Sequence, residues 1–79
     1  MISSEQIRSA RALLQISTEE LANISGVGWA TIRRFEAAPG IPPSRSDNLE
    51  KVKTALVARG IVFLGDPIDS PGVQLVKFK

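Results

Sequence analysis

The segment from Ser17 to Glu36, STEELANISGVGWATIRRFE, constrains the fold more than any other part of the chain. Ser17 and Glu20 have capping-box spacing, in which each side chain bonds the other residue's backbone amide and a helix starts between them. Leu21 and Ile24 then face inward, and the small Ala22 lets a neighbouring helix approach closely. Gly26 stands where that helix needs a left-handed C-cap near Ser25. Val27 is the apolar residue that plugs the space between two helices. Gly28 opens a further helix from Trp29 to about Ala37, with Ile32 and Phe35 three apart on its core side. On a helical wheel the opposite side carries Trp29, Ala30, Arg33, Arg34 and Ala37. The expected centre of the molecule is thus a pair of short helices joined by a glycine turn, with two adjacent arginines facing out.

The flanking segments complete a small helical domain. Ser3 and Gln6 repeat the capping-box spacing, and Ile7, Ala10 and Leu14 make one apolar stripe, which predicts a first helix from Ser4 to Leu14. Arg11 borders that stripe and is expected to be structural. Gln15 and Ile16 form a short connection. After the third helix, AAPGIPPS (Ala37 to Ser44) carries three prolines and a glycine that forbid helix. Ser46 is the expected cap of a fourth helix with Leu49, Val52, Ala55 and Leu56 on its buried side, ended by Gly60. The period then changes. Ile61 to Leu64 and Gly72 to Phe78 read as strands, and the GDPIDSP between them is turn chemistry. The expectation is a mainly α fold: residues 1–60 as a four-helix domain and residues 61–79 as a C-terminal β-hairpin packed on it.

Both sides of this hairpin are apolar. Ile61 and Phe63 lie opposite Val62 and Leu64, and Val73 and Leu75 opposite Val76 and Phe78. The helices can cover only one side. A second protomer is the natural cover for the other, so Val62, Leu64, Val76 and Phe78 are the candidate dimer interface.

Composition excludes several kinds of chemistry. The 79 residues suffice for one domain. With neither cysteine nor histidine there is no disulfide framework, no Cys/His zinc site and no Cys- or His-based catalysis. Asp66 and Asp69 read as turn formers, and Gly26-Val27-Gly28 lacks the strand and the Lys-Ser/Thr of a phosphate loop. The expectation is therefore no enzyme, no cofactor, no metal and no small-molecule substrate. No segment has the length and apolarity of a membrane span, and MISSEQIRSA lacks a signal-peptide core, so a soluble cytoplasmic protein is expected. Ten Lys/Arg against eight Asp/Glu leave a net charge of +2. That is weakly basic, so only the placement of charge can point to nucleic acid.

Two helices, a glycine turn and an outward Arg-Arg pair have the layout of a helix-turn-helix. Beyond that layout, IRSARALLQISTEELANISGVGWATIRRFE resembles the Cro/repressor-type (XRE-like) helix-turn-helix family of bacterial and phage transcription regulators. It is most similar to small single-domain members that close on a GVxL segment, here Gly72, Val73, Gln74 and Leu75. The resemblance covers nearly the whole chain. It implies a four-helix lambda-repressor-like domain with a C-terminal strand pair, double-stranded DNA as partner, and a homodimer acting in transcription regulation as a repressor or related regulator.

The resemblance also assigns positions. Thr18 matches a polar residue set against a phosphate. Trp29, Ala30, Thr31, Arg33 and Arg34 match the exposed positions of the recognition helix. Leu21, Ala22, Val27, Ile32 and Phe35 match packing positions. Gly28 stands where the family usually has a Ser or Thr that caps the helix and binds phosphate, and Trp29 where Arg or Gln is common. Tryptophan makes no bidentate base contact; packing on a thymine methyl or along the sugar-phosphate wall is open to it.

Each position also has a plainer reading. Arg33 and Arg34 suit guanine or phosphate, yet also suit a solvated face with an ion pair to Glu36 or a neighbour. Trp29 is a DNA contact, an anchor for a protein partner, or a side chain folded back on Ile24, Val27 or the proline loop. Arg45 and Lys51 are candidate phosphate contacts, against a solvated polar face. The alternative function is a protein-binding module on the same scaffold, such as an antiactivator that occupies another transcription factor.

Overall fold

The computed structural model describes residues 1–44 and 47–77. The chain runs α1 (Ser4–Leu14), α2 (Thr18–Ser25), α3 (Trp29–Ala37), α4 (Asn48–Ala58), β1 (Ile61–Leu64) and β2 (Gly72–Leu75). It is mainly helical, with a two-stranded antiparallel sheet at its C-terminal end.

Both capping boxes form. Ser3 Oγ accepts from the Gln6 amide, and Gln6 Oε1 accepts from the Ser3 amide at 3.0 Å. Ser17 and Glu20 do the same for α2. Gly26 ends α2 in the left-handed region at φ 73°, and its amide bonds the Ala22 carbonyl. Gln15 ends α1 in that same region at φ 59°, where the sequence shows only a short connection.

The core gathers Ile7 and Ala10 from α1, Leu21 from α2 and Ile32 and Phe35 from α3, with Val27 from the turn. Leu49, Val52 and Leu56 of α4 and Ile61 of β1 complete it. Ile2 joins them at 1% exposure, although it precedes the first helix and carries no periodic signal. Two polar side chains of α1 are buried and bonded far along the chain. The Ser4 hydroxyl donates to the Phe35 carbonyl and, at 3.1 Å, to the Gly40 carbonyl. Gln6 Nε2 donates to the carbonyls of Leu64 (3.3 Å) and Gly72 (3.1 Å).

In the sheet Ile61 pairs with Leu75 and Phe63 with Val73, all toward the helices, while Val62 pairs with Gln74 on the outer side. β2 ends at Leu75, short of the expected strand, whose last residue, Phe78, lies outside the described residues. The reason is its partner. One further bond runs from the Val76 amide to the Gly60 carbonyl, and beyond that the facing chain is the end of α4. In the connecting turn Asp66 Oδ1 accepts from the amides of Ile68 (2.8 Å) and Asp69 (2.9 Å). Gly65 has φ 72°, and a Cβ there would lie 2.1 Å from the Ser70 carbonyl oxygen, so this position requires glycine. α4 begins at Asn48 with Asp47 at its N-cap, while Ser46, the cap expected from sequence, lies outside the described residues.

Candidate functional site

Gly26 turns the chain, Val27 sinks to 3% exposure between the helices, and Gly28 occupies the N-cap of α3 without a side-chain cap. A Cβ at Gly28 would meet nothing within 4 Å, so the site has room for the Ser or Thr it lacks. α3 is then seated by two buried side chains, Ile32 and Phe35. Trp29, Ala30, Arg33, Arg34 and Ala37 are exposed, and Thr31 is half-buried.

Three of the residues singled out from sequence meet, and a fourth joins them. The Trp29 indole N–H donates to Thr18 Oγ1 at 2.9 Å, which links the first residue of α3 to the first of α2. The Thr18 hydroxyl gives its own proton to Glu19 Oε1, also at 2.9 Å. The Arg33 guanidinium lies over the Trp29 ring, 5.0 Å from its centroid. The Thr18 hydroxyl holds the Glu19 carboxyl below its ordinary pKa, helped by its own backbone amide, the indole and the positive charge of Arg33. Of the readings open to Trp29, the structure shows its polar end turned to Thr18. Trp29 bridges two helix starts with 45% of its surface exposed. Glu19 is not among the positions that the sequence singles out. The nearby signal was Thr18 itself, whose one hydroxyl proton takes the adjacent carboxylate.

Glu36 is engaged elsewhere. Arg11 grips it through Nε–Oε2 (3.0 Å) and Nη2–Oε1 (2.9 Å), and also donates to the Ile16 carbonyl at 3.2 Å. The hydrogen bonds to Glu36 raise the Arg11 pKa above its ordinary value. Arg8 donates to the Glu36 carbonyl. The ion pair considered for Arg33 or Arg34 is thus formed by Arg11, and Arg34 makes no ion pair or ring contact among the described residues.

The remaining candidates stand apart from this cluster. Lys51 is exposed on α4, paired with Asp47 at 3.7 Å beside a shallow groove that Ile24 and Ser25 of α2 also line. Val62, Leu64 and Val76 are 40%, 45% and 42% exposed. Arg45 and Phe78 lie outside the described residues. Among the described residues no three His, Cys, Asp or Glu side chains are grouped to hold a metal ion, and no helix is long and apolar enough to cross a membrane. No protein-family model matches the chain, and no curated protein matches it.

Proposed function

We propose that the chain is a sequence-specific DNA-binding regulator of transcription. In this reading α2, the glycine turn and α3 act as a helix-turn-helix on a lambda-repressor-like scaffold, and α3 enters the major groove. One observation carries the reading. Trp29, Ala30, Arg33 and Arg34 stand together on the exposed side of α3, above the buried Ile32 and Phe35 that seat the helix. The resemblance to Cro/repressor-type regulators supports the same assignment. Arg33 and Arg34 are the main readers, and Ala30 and Thr31 add apolar and hydroxyl contacts. A phosphate sits at the start of α2. Because Thr18 already shares its proton with Glu19, that phosphate draws chiefly on backbone amides.

A net charge of +2 makes non-specific binding weak and salt-sensitive. The test is a gel shift at two salt concentrations with a duplex selected by the parent chain from a randomised pool. Arg34→Ala is expected to cost about 1–3 kcal/mol on that duplex, about a 5- to 150-fold loss of affinity. Equal affinity for variant and parent removes Arg34 from the reading role.

The same reading makes the chain a homodimer that spaces two reading helices about one DNA turn apart, roughly 34 Å. Its support is the outer side of the hairpin, where Val62, Leu64 and Val76 are each about two-fifths exposed. Leu64→Lys is expected to convert a two-chain species into a single chain in sedimentation velocity. A parent that already sediments as a single chain at high concentration ends this part of the reading.

A protein-binding module on the same scaffold is the second reading. The observation favouring it is the Glu19 carboxylate beside Thr18, which places negative charge where a phosphate would approach. Selection of no duplex, even at low salt, would favour this module.

A further inference from the structure

Trp29 occupies a position where it does two things at once. Its N–H is fixed to Thr18 across the turn, and its ring lies under the guanidinium of Arg33, one helical turn further on. The 5.0 Å separation is within the range in which a cation is drawn to an aromatic face. The i, i+4 spacing puts both side chains on the same side of α3. The other end of the chain of contacts is closed as well, since Thr18 donates to Glu19. Glu19, Thr18, Trp29 and Arg33 thus form one connected row over the starts of α2 and α3. A free arginine on a helix surface samples many rotamers and loses that freedom on binding. Indole has only two side-chain torsions, and here its polar end is already bonded.

We propose that Trp29 is a positioning residue for Arg33: clamped to Thr18, its ring holds the guanidinium in the orientation that reads one base pair, and Trp29 itself reads none. The proposal rests on α3 being the DNA-facing helix and adds a division of labour within it. Arg33 is pre-set by its neighbour, whereas Arg34, which has no ring contact among the described residues, acts independently of Trp29.

The experiment combines a measurement on the free protein with a set of binding cycles. In the free protein, NMR should show Arg33 side-chain protons shifted upfield by the indole ring, and the shift should vanish in Trp29→Ala. Binding is measured on the duplex selected by the parent and on all its single-base-pair variants. Arg33→Ala and Trp29→Ala are expected to lose about tenfold discrimination at the same one base pair, with discrimination elsewhere kept. The double variant Trp29→Ala/Arg33→Ala should bind no more weakly than Arg33→Ala alone, while Trp29→Ala/Arg34→Ala should show additive losses. Thr18→Val, which removes the clamp and keeps the ring, should reproduce part of the loss at that base pair. It also serves if Trp29→Ala folds poorly.

Additive losses for Trp29 and Arg33, a loss of affinity spread uniformly over all duplexes, or an unshifted Arg33 in the parent would each overturn the proposal while leaving α3 as the reader. A parent that selects no duplex removes the DNA reading and this role with it, and the NMR shift would then report a stacked pair without a reading function.

Discussion

Phe35→Ala is expected to destabilise the fold by about 3–5 kcal/mol, the range for deleting a buried phenyl ring. Phe35 is 1% exposed and is the bulkiest of the fully buried side chains. It lies on the inner side of α3 in a core shared with α1, α2, α4 and β1. A domain of this size is held by about 0.05–0.15 kcal/mol per residue. The loss is therefore about a quarter or more of the whole, and urea unfolding should show the midpoint falling by at least that share. Phe35→Leu keeps most of the volume and should cost about 1.5 kcal/mol or less. A loss below about 1 kcal/mol for the alanine variant would mean that the cavity closes by collapse. In that event α3 would not depend on this ring for its seat.

The second large effect is expected at Glu36. The carboxylate side chain is 9% exposed and accepts two bonds from Arg11, itself 26% exposed. Removing one partner of such a pair leaves a guanidinium with little water and no counter-charge. Glu36→Gln is expected to cost about 2–3 kcal/mol, below the upper range for fully buried pairs because Arg11 retains some solvent. Replacing both partners by apolar residues, Arg11→Met with Glu36→Leu, should recover most of that loss. Urea midpoints for the single and double variants decide the matter. A single variant within about 0.5 kcal/mol of the parent would make the pair equivalent to an exposed salt bridge. Because Glu36 closes α3 while Arg11 belongs to α1, this pair fixes the far end of the helix that Phe35 seats.

The local parts of the fold were legible because their signals lie within a few residues of one another. Ser3 with Gln6 and Ser17 with Glu20 announce two helix starts, and Gly26 announces the end of α2. The inner side of the hairpin follows from alternation. What could not be read depends on partners distant in sequence. Ile2 has no periodic neighbours, and its burial comes from tertiary packing alone. The length of β2 is limited by where α4 ends, not by its own apolar residues. The candidate site shows the same division. Thr18, Trp29 and Arg33 each stood out by residue type and wheel position. Their union did not, since the Thr18–Trp29 bond spans eleven positions and depends on the angle between two helices. The choice of Arg11 over Arg33 or Arg34 as the partner of Glu36 likewise follows from how α1 crosses α3.

The Gln6 side chain has a consequence for synthesis. Its oxygen serves the opening of the first helix, while its nitrogen reaches carbonyls at Leu64 and Gly72. On the ribosome those acceptors emerge 58 and 66 residues after Gln6 itself. Until they do, the Gln6 carboxamide nitrogen has to remain hydrated, and only the local capping box holds the first turn of the helix. These two bonds therefore form only once the hairpin has been made, and in a nascent chain stalled before it the start of the first helix should be cut by protease more readily than in the whole chain.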